Sequence, residues 1–234
     1  IRYSSTSRGL GDVYKRQALP CELVPAADLL AELRAVKDPE ELEIMIAAQR
    51  IAEKALTDIL NEIRPGVAEK EIAARLQYLM LHYGAEDKSF DPIVVSGPNG
   101  SLPHGVPSEK VIQAGEFVTM DFGCIYHGYC SDMTRTFFCR AADPKYAAIH
   151  DLVREANELA ESMIRPGVKL CDLDKAARDH IAAAGYGEYF THRLGHFIGQ
   201  TEHEQGDVSA TADVEARPGM IFSIEPGVYL PDEF

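Results

Sequence analysis

The chain has 234 residues with 37 acidic and 23 basic side chains, which gives a formal net charge of −14. This length fits one large domain or two small ones, and a hydrophobic content of 46% excludes a globally disordered chain. No run approaches the ~18 consecutive apolar residues of a membrane span. The acidic balance argues against a nucleic-acid partner, because phosphate binding needs a clustered basic face.

The five cysteines are odd in number and form no Cys-x-x-Cys pair. A disulfide framework is therefore not expected, and a reducing compartment, the cytoplasm, is predicted. The spacing from Cys124 to Cys130 does not fit a structural zinc site either.

Residues 1–17 differ in composition from the rest, with four basic residues against one acid. They show neither a helical or strand period nor the order of a signal peptide. We interpret them as a non-native or disordered leader, with a native flexible arm as the alternative. Residues 18–234 then form the domain.

A strong helix signal opens this domain. Asp38 at the N-cap, Pro39 at the first helical position and Glu41 at the capping-box position predict the start of a helix. Apolar residues at helical spacing carry it to Ile63. The remaining patterns predict a second helix that ends at Gly84, a strand over 93–95, a loop over 97–107, strands over 116–124 and 129–138, helices over 144–164 and 173–184, and a strand over 220–224.

The chain contains an internal repeat. Ile63–Val67 recurs as Ile164–Val168, 101 positions later, and Gly115–Asp121 aligns with Gly219–Glu225 at an offset of 104. Two matched strings in the same order predict two related halves in a pseudo-twofold α/β domain. Asp121 and Glu225 then occupy equivalent strand positions and converge on one central site.

Asp121 and Asp132 lie on consecutive predicted strands. A hairpin centred between Tyr126 and His127 places the two aspartates directly opposite, with Cβ atoms about 4.5–5.5 Å apart. Two like charges this close, among apolar neighbours, repel each other and resist burial, and a shared cation removes both problems. The alternative is a pair of exposed carboxylates on a hydrated sheet face.

Three histidines, His192, His196 and His203, fall within twelve positions beside glycines and a Glu-Pro-Gly turn. This density indicates a site. His104 lies in a turn-rich loop and carries a weaker signal on its own.

The ordered motifs PHGVPS, VTMDFG, YCSDMTRT, GHFIG, His203-Glu204 and FSIEPGVY resemble the pita-bread (M24) metallopeptidases over about residues 29–234. The similarity is greatest to the Xaa-Pro branch, which comprises Xaa-Pro aminopeptidase and Xaa-Pro dipeptidase (prolidase). The resemblance implies an α/β (α+β) fold of two pseudo-twofold halves, with a central curved antiparallel sheet and outer helices.

The resemblance also implies a site and a mechanism. It places the metal ligands at Asp121, Asp132, His196 and Glu225 and the substrate-binding residues at His104, His192 and His203, with Glu225, His203 and His104 as the catalytic residues. Such carboxylate-rich ligation suits two divalent ions, Mn²⁺ or Co²⁺, with Zn²⁺ or Fe²⁺ as alternatives. Their shared hydroxide would attack the scissile carbonyl of an Xaa-Pro bond.

The expected function is that of a cytoplasmic Xaa-Pro aminopeptidase that acts on small peptides, and a homodimer is compatible with it. The alternatives are an Xaa-Pro dipeptidase, a methionine aminopeptidase and, outside the enzymes, a metal-free pita-bread binding module. The chain departs from the family at Phe197, where glycine is usual, so we expect a bulkier wall beside His196. We expect no counterpart of the family's extra N-terminal domain within these 234 residues, and we expect the second metal-binding glutamate of the family to fall after Phe234.

We therefore expect residues 18–234 alone to bind two metals poorly and to hydrolyse peptides slowly. Loss of supporting contacts around a metal costs roughly 10–100-fold in affinity or activity, and loss of a direct ligand should cost at least that. The test compares residues 18–234 with a version extended through the expected last strand, on an Xaa-Pro peptide with Mn²⁺ or Co²⁺. Equal activity would mean that the ligand set is complete within the 234 residues.

Overall fold

The computed structural model describes residues 27–234, so the leader predicted over residues 1–17 lies outside the described residues. Helix α1 (Ala27–Ala35) crosses the point after Leu33 at which the chain divides into two units. The second unit, Arg34–Phe234, holds the other described elements and all the predicted site residues.

The second unit alternates paired helices with short antiparallel strands. In chain order its elements are α2 (Pro39–Ile59), α3 (Glu69–His82), β1 (Asp87–Lys88), β2 (Ile93–Ser96), β3 (Phe117–Phe122), β4 (Cys124–Tyr126), β5 (Tyr129–Cys130), β6 (Met133–Phe138), α4 (Pro144–Ser162), α5 (Leu170–Ala183), β7 (Gly195–His196) and β8 (Asp207–Val208). Single 3₁₀ turns occupy Gly97–Ser101 and Gly187–Tyr189.

The start of α2 is the one that its sequence predicts. The Asp38 carboxylate accepts from the Glu41 N–H at 2.9 Å, and the Glu41 carboxylate accepts from the Asp38 N–H at 2.7 Å, which completes the capping box. The helix ends at Ile59 rather than near Ile63, because the N–H groups of Asn61 and Glu62 donate to carbonyls three positions back instead of four. Helix α5 begins at Leu170, earlier than the predicted start at residue 173.

The strands form three small antiparallel sheets in the described chain, with orders β2-β3-β6, β1-β4-β5 and β7-β8. The predicted strands over 116–124 and 129–138 are each divided between the first two sheets. The division falls at Gly123, where an added Cβ would lie 1.9 Å from the Ser131 carbonyl oxygen. Glycine therefore allows a backbone approach that another residue would prevent.

The predicted register of the aspartate pair is wrong by two residues. The hairpin pairs Tyr126 with Tyr129 around a two-residue turn, His127-Gly128, with φ of 47° and 78°. Two positive φ values are the mark of a type I′ turn. Asp121 consequently pairs with Thr134, and Asp132 lies diagonally from Asp121 instead of opposite it. The shift is even, so both aspartates stay on one face of the sheet.

The predicted strand over 220–224 is an interrupted ladder and not a regular strand. The Ser223 N–H donates to the His196 carbonyl and the Glu225 N–H to the Leu194 carbonyl, both at 2.8 Å. The return bond is missing, because the His196 N–H donates to the Ser223 hydroxyl at 2.9 Å. Isolated bridges remain at Met220 and Phe222.

The internal repeat is confirmed by matching hydrogen bonds. In the first half the Gly66 N–H donates to Ile112 and the Ile112 N–H to Val67, at 3.1 and 2.9 Å; in the second half the Gly167 N–H donates to Ala216 and the Ala216 N–H to Val168, at 2.9 and 2.8 Å. The donors of the first bonds are 101 positions apart and their acceptors 104 positions apart, as in the sequence. Each half thus repeats one helix–turn–strand arrangement.

Each half also has its own hydrophobic core. The first packs α2 and α3 against β2, β3 and β4, and the second packs α4 and α5 against the segments around Leu194, Val208 and Val228. Phe117, from β3, belongs to the second cluster. Among the described helices, none is long and apolar enough to cross a membrane.

We expect Gly123→Ala to lower the free energy of unfolding by about 1–3 kcal/mol, because the new Cβ forces the two strands apart. Gly100→Ala is the control, since its Cβ would meet its nearest atoms at 3.7 Å, an ordinary contact, and such a change should stay within about 0.5 kcal/mol. Urea unfolding measures both. Equal effects would contradict the close approach at Gly123.

Candidate metal centre

A cavity of about 540 Å³ lies between the two halves of the second unit. Asp121, at the end of β3, and Asp132, just before β6, line it together with His196 of β7 and Glu225 of the interrupted ladder. The structure therefore brings together the four side chains predicted as metal ligands. The three predicted substrate-binding histidines, His104, His192 and His203, line the same cavity.

His196 is the centre of the acidic group. Its side chain is buried, with Nε2 at 3.2 Å from Asp132 Oδ2 and 3.5 Å from Glu225 Oε1. Burial lowers the pKa of His196, but the hydrogen bond to Asp132 and the charge of Glu225 raise it more, so the net shift is upward. Nδ1 lies 3.1 Å from the Phe197 carbonyl, which leaves Nε2 to face the carboxylates.

Asp121 carries the clearest electrostatic strain. Burial and then the charge of Asp132 raise the pKa of Asp121 to about 8, against a lowering hydrogen bond from Thr134. Within the described residues, Asp121 Oδ1 is the buried side-chain oxygen that has no hydrogen-bond partner. Buried polar atoms are nearly always paired, so an orphaned oxygen on a residue that lines the cavity marks Asp121 as a candidate ligand.

Glu225 shares this environment. Burial raises its pKa, the charge of His196 lowers it and the charge of Asp132 raises it further, for a net upward shift. As the side chains stand, no three acidic, imidazole or thiol groups of the described chain form a preformed metal-binding cluster. The donors instead contact one another, as the His196 distances show. Three carboxylates and one imidazole nonetheless match the donor chemistry of a divalent cation, and the orphaned Asp121 oxygen fits that requirement.

Two of the predicted substrate-binding histidines have lowered pKa values. Burial lowers the pKa of His192, whose Nε2 lies 3.0 Å from the Tyr229 hydroxyl. Burial and then the charge of His196 lower the pKa of His203, whose ring meets that of His196 edge-on at 4.0 Å. His104 is exposed at the mouth of the cavity.

A buried carboxylate that the sequence motifs did not reveal fixes the loop of His104. Glu69, at the start of α3, is fully buried. It accepts from the N–H and hydroxyl of Ser96 at 2.7 and 2.9 Å, from Asn99 at 3.0 Å and from the N–H and hydroxyl of Ser108 at 3.2 and 2.8 Å. Both ends of the loop that carries His104 are thereby fixed. In the sequence, the signal nearest to Glu69 was the repeated Arg-Pro-Gly string that precedes α3.

A second carboxylate outside the predicted set does the same for His192. Asp174 of α5 is fully buried and holds Arg178 through two bonds of 2.9 and 3.0 Å. Asp174 also accepts from the Leu194 N–H at 3.1 Å, and Arg178 donates to the carbonyls of Phe190 and His192 at 2.9 Å. The backbone on both sides of His192 is fixed from one helix.

Cations near the start of the unit hold the His203 segment. The Glu204 carboxylate accepts from Lys37 Nζ at 2.8 Å and from Arg34 at 2.7 Å, and the Lys37 side chain is almost fully buried. Burial raises the pKa of Glu204, but the hydrogen bonds from Lys37 and Arg34 lower it more. The motif pair His203-Glu204 thus combines one cavity side chain with its anchor.

Two further cavity residues, Tyr229 and Glu202, lie within or directly beside the motifs of the sequence. Tyr229 bonds His192, and burial, with the charge of Glu225, raises the pKa of Tyr229 to about 12. Glu202 is an additional cavity carboxylate, and burial and the charge of Asp132 raise its pKa. Their position close to predicted site residues in the sequence was the signal that could have singled them out.

The expected bulky wall at Phe197 is not found. Phe197 is buried in the second core, where its ring packs on Phe222 at 5.8 Å, and it does not line the cavity. Adjacent residues of an extended segment point to opposite faces, so Phe197 turns away where His196 faces the cavity. Gly206 leaves room for the ring, since a Cβ there would lie 2.8 Å from it.

We expect Asp121→Asn to stabilise the metal-free chain at about pH 8 and to have little effect near pH 4. A carboxyl whose pKa is higher in the folded state binds more protons when folded, so its contribution to stability falls as pH rises from about 4 to 8. Asparagine removes that slope. The pKa is also raised for three neighbouring groups, Glu225, Glu202 and His196, and it is lowered for His192 and His203. All five groups are present in both the wild type and Asp121→Asn, so the comparison isolates Asp121.

The measurement is urea unfolding with a chelator across this pH range. Asp207→Asn is the control, because Asp207 pairs with His196 in the β7·β8 ladder but its carboxylate accepts from the Ser209 hydroxyl at 2.8 Å. A difference between wild type and Asp121→Asn that does not grow with pH would contradict the raised pKa.

Comparison with known proteins agrees with this geometry. A family model described as metallopeptidase family M24 matches residues 43–234. An uncharacterized peptidase YqhT of Bacillus subtilis is 41% identical over 98% of this chain and 65% of its own length. An Xaa-Pro dipeptidase of Pyrococcus horikoshii is 40% identical over 97% of this chain and 65% of its own length.

Solved structures give the same answer. Prolidase from Pyrococcus furiosus aligns with a TM-score of 0.86 at 41% identity, over 88% of this chain and 61% of that chain. An X-Pro aminopeptidase from Thermotoga maritima aligns with a TM-score of 0.86 at 40% identity, over 88% and 59%. This chain thus spans 65% of the two curated relatives named above. It belongs to metallopeptidase family M24 and has the pita-bread fold of the Xaa-Pro peptidases.

Proposed function

We propose that residues 18–234 are the catalytic domain of a metal-dependent peptidase that hydrolyses Xaa-Pro dipeptides. The observation that carries this proposal is the group of three cavity carboxylates around His196, in which Asp121 has an orphaned oxygen and a pKa of about 8. Carboxylates that are buried this close together repel one another and destabilise the folded state unless a cation is bound.

The residues that would hold divalent cations are Asp121, Asp132, His196 and Glu225. This donor set suits Mn²⁺ or Co²⁺ better than a thiolate-rich site would. Bound ions of this kind polarise a carbonyl oxygen and lower the pKa of water, which is the chemistry that peptide hydrolysis needs.

The chain's own side chains then have separate tasks. Glu225, with its raised pKa, accepts a proton at its carboxylate oxygen. His203, whose pKa is lowered, donates a hydrogen bond to the substrate carbonyl. His192 directs its Nδ1 proton to the Arg193 carbonyl at 2.7 Å, so its Nε2 accepts from the Tyr229 hydroxyl at 3.0 Å and the ring contacts the substrate main chain without donating to it. His104, at the cavity mouth, contacts the leaving nitrogen.

A dipeptide substrate is favoured over a longer peptide by the named relatives. Aminopeptidase activity was the first expectation from the sequence, but the relatives with a printed activity include the Xaa-Pro dipeptidase of Pyrococcus horikoshii and the prolidase of Pyrococcus furiosus. The X-Pro aminopeptidase of Thermotoga maritima keeps the second activity as the competing candidate. The homodimer and the cytoplasmic location stay predictions from the sequence.

We expect hydrolysis of an Xaa-Pro dipeptide, with added Mn²⁺ or Co²⁺, to exceed hydrolysis of the matching Xaa-Pro-Xaa tripeptide and of a methionyl peptide. Asp132→Asn and Glu225→Gln should each reduce kcat/KM by at least about 100-fold, since each removes a proposed ligand or proton acceptor. Amino-acid release from each peptide is the measurement.

Asp207→Asn serves again as the control and should keep its activity, because its carboxylate lies outside the cavity lining. Faster cleavage of the tripeptide would favour the aminopeptidase. Absence of both metal binding and hydrolysis in a version extended through the expected last strand would favour the metal-free binding module.

A further inference from the structure

Ser223 touches two of the proposed metal ligands at once. Its hydroxyl accepts from the His196 N–H at 2.9 Å and lies 3.0 Å from Glu225 Oε1, to which it donates. Its own N–H donates to the His196 carbonyl at 2.8 Å. The other acceptor within reach of the hydroxyl, the His196 carbonyl, is farther away at 3.5 Å, so the single proton goes to the carboxylate.

The same local arrangement occurs in the first half without a carboxylate. The Ser131 hydroxyl accepts from the Cys124 N–H at 3.0 Å, and the Ser131 N–H donates to the Cys124 carbonyl at 2.8 Å. A glycine precedes the N–H donor in each case, and a Cβ on Gly123 or Gly195 would lie 1.9 Å from the serine carbonyl oxygen. The Ser131 hydroxyl, however, reaches only the oxygen and sulfur of Cys124, at 3.5 and 3.6 Å.

The two serines therefore differ in role. Both serine hydroxyls accept a hydrogen bond from a buried backbone N–H, which is a structural role. The bond to Glu225 belongs to Ser223 alone, and it joins a ligand on one segment to the backbone of a ligand on the facing segment. A carboxylate held by a hydrogen bond has fewer accessible rotamers, so less entropy is lost when it binds an ion.

We propose that Ser223 is a positioning residue that holds the Glu225 carboxylate in register with His196 for cation binding. This inference rests on the proposed function, because it assumes that both residues bind the ion. Removing the hydroxyl should weaken cation binding about 10–100-fold, as is typical for contacts that orient metal ligands.

The experiment titrates Mn²⁺ into chelator-treated protein by calorimetry and compares the full 234-residue chain with Ser223→Ala, Ser223→Thr and Ser131→Ala. We expect Ser223→Ala to bind about 10–100-fold more weakly, Ser223→Thr to stay within about threefold of wild type because it keeps the hydroxyl, and Ser131→Ala to bind as wild type does. The experiment compares the ratio of the Mn²⁺ dissociation constants of variant and wild type, so a wild-type dissociation constant in the millimolar range is sufficient. Thermal unfolding of each variant shows whether it is folded.

Ser131→Ala is the matched control, since it also removes the acceptor of a buried N–H beside a close glycine. Equal affinities of Ser223→Ala and wild type, or equal losses in Ser223→Ala and Ser131→Ala, would contradict the role of Ser223 alone. Absence of Mn²⁺ binding both by wild type and by a version extended through the expected last strand would contradict the proposed metal centre and this role together. If Ser223→Ala does not fold, the near-isosteric Ser223→Cys replaces it, with the same loss expected.

Discussion

Repulsion among the carboxylates that surround His196 is the constraint on which the rest of the structure depends. Asp121, Asp132 and Glu225 come from three separate segments, so no local rearrangement of one segment can relieve it. Burial and then the charge of Asp132 raise the pKa of Asp121 to about 8. The rigid pairing of β3 with β6, and of the Glu225 segment with β7, keeps the charges together despite this repulsion. A site of this kind is poorly designed for stability in the absence of a ligand and well designed for binding a cation.

Hydrogen bonding separates the proposed ligand acids of the cavity from the structural acids. Glu69 and Asp174 are more completely buried than the cavity acids, yet each carboxylate is surrounded by donors. Asp121 has an oxygen with none among the described residues. Burial alone would have ranked Glu69 first as a site residue, whereas the count of unsatisfied acceptors ranks Asp121 first. The structural acids Glu69 and Asp174 instead hold the backbone segments that carry the cavity histidines. The outer helices α3 and α5 thereby help to position these histidines.

The sequence predicted what depends on local or repeated signals. The capping box at Asp38, the two related halves and the convergence of Asp121 with Glu225 follow from short strings and their spacing, whereas the set of four proposed ligands came from the family resemblance. The register of Asp121 did not follow, because it depends on His127 adopting a positive φ that a non-glycine residue rarely takes. The interrupted ladder at Ser223 was missed because one side-chain hydroxyl replaces a backbone acceptor. Glu69 and Asp174 were missed because their donors are distant in sequence, as for Ser96 and Leu194.

The two halves show how a repeated scaffold acquires unequal chemistry. Each half brings a glycine against a serine carbonyl and uses the serine hydroxyl to accept a backbone N–H. The N–H belongs to Cys124 in one half and to His196 in the other, and each serine lies within two residues of a cavity acid, Asp132 or Glu225. The backbone arrangement is therefore common to both halves, and the side chains at its donor position differ. An imidazole in that position faces the carboxylates, whereas the Cys124 thiol turns into the first core and contacts the Ala48 carbonyl at 3.3 Å. Each half thus contributes two proposed ligands, Asp121 and Asp132 from the first and His196 and Glu225 from the second, but the imidazole at the donor position belongs to the second half.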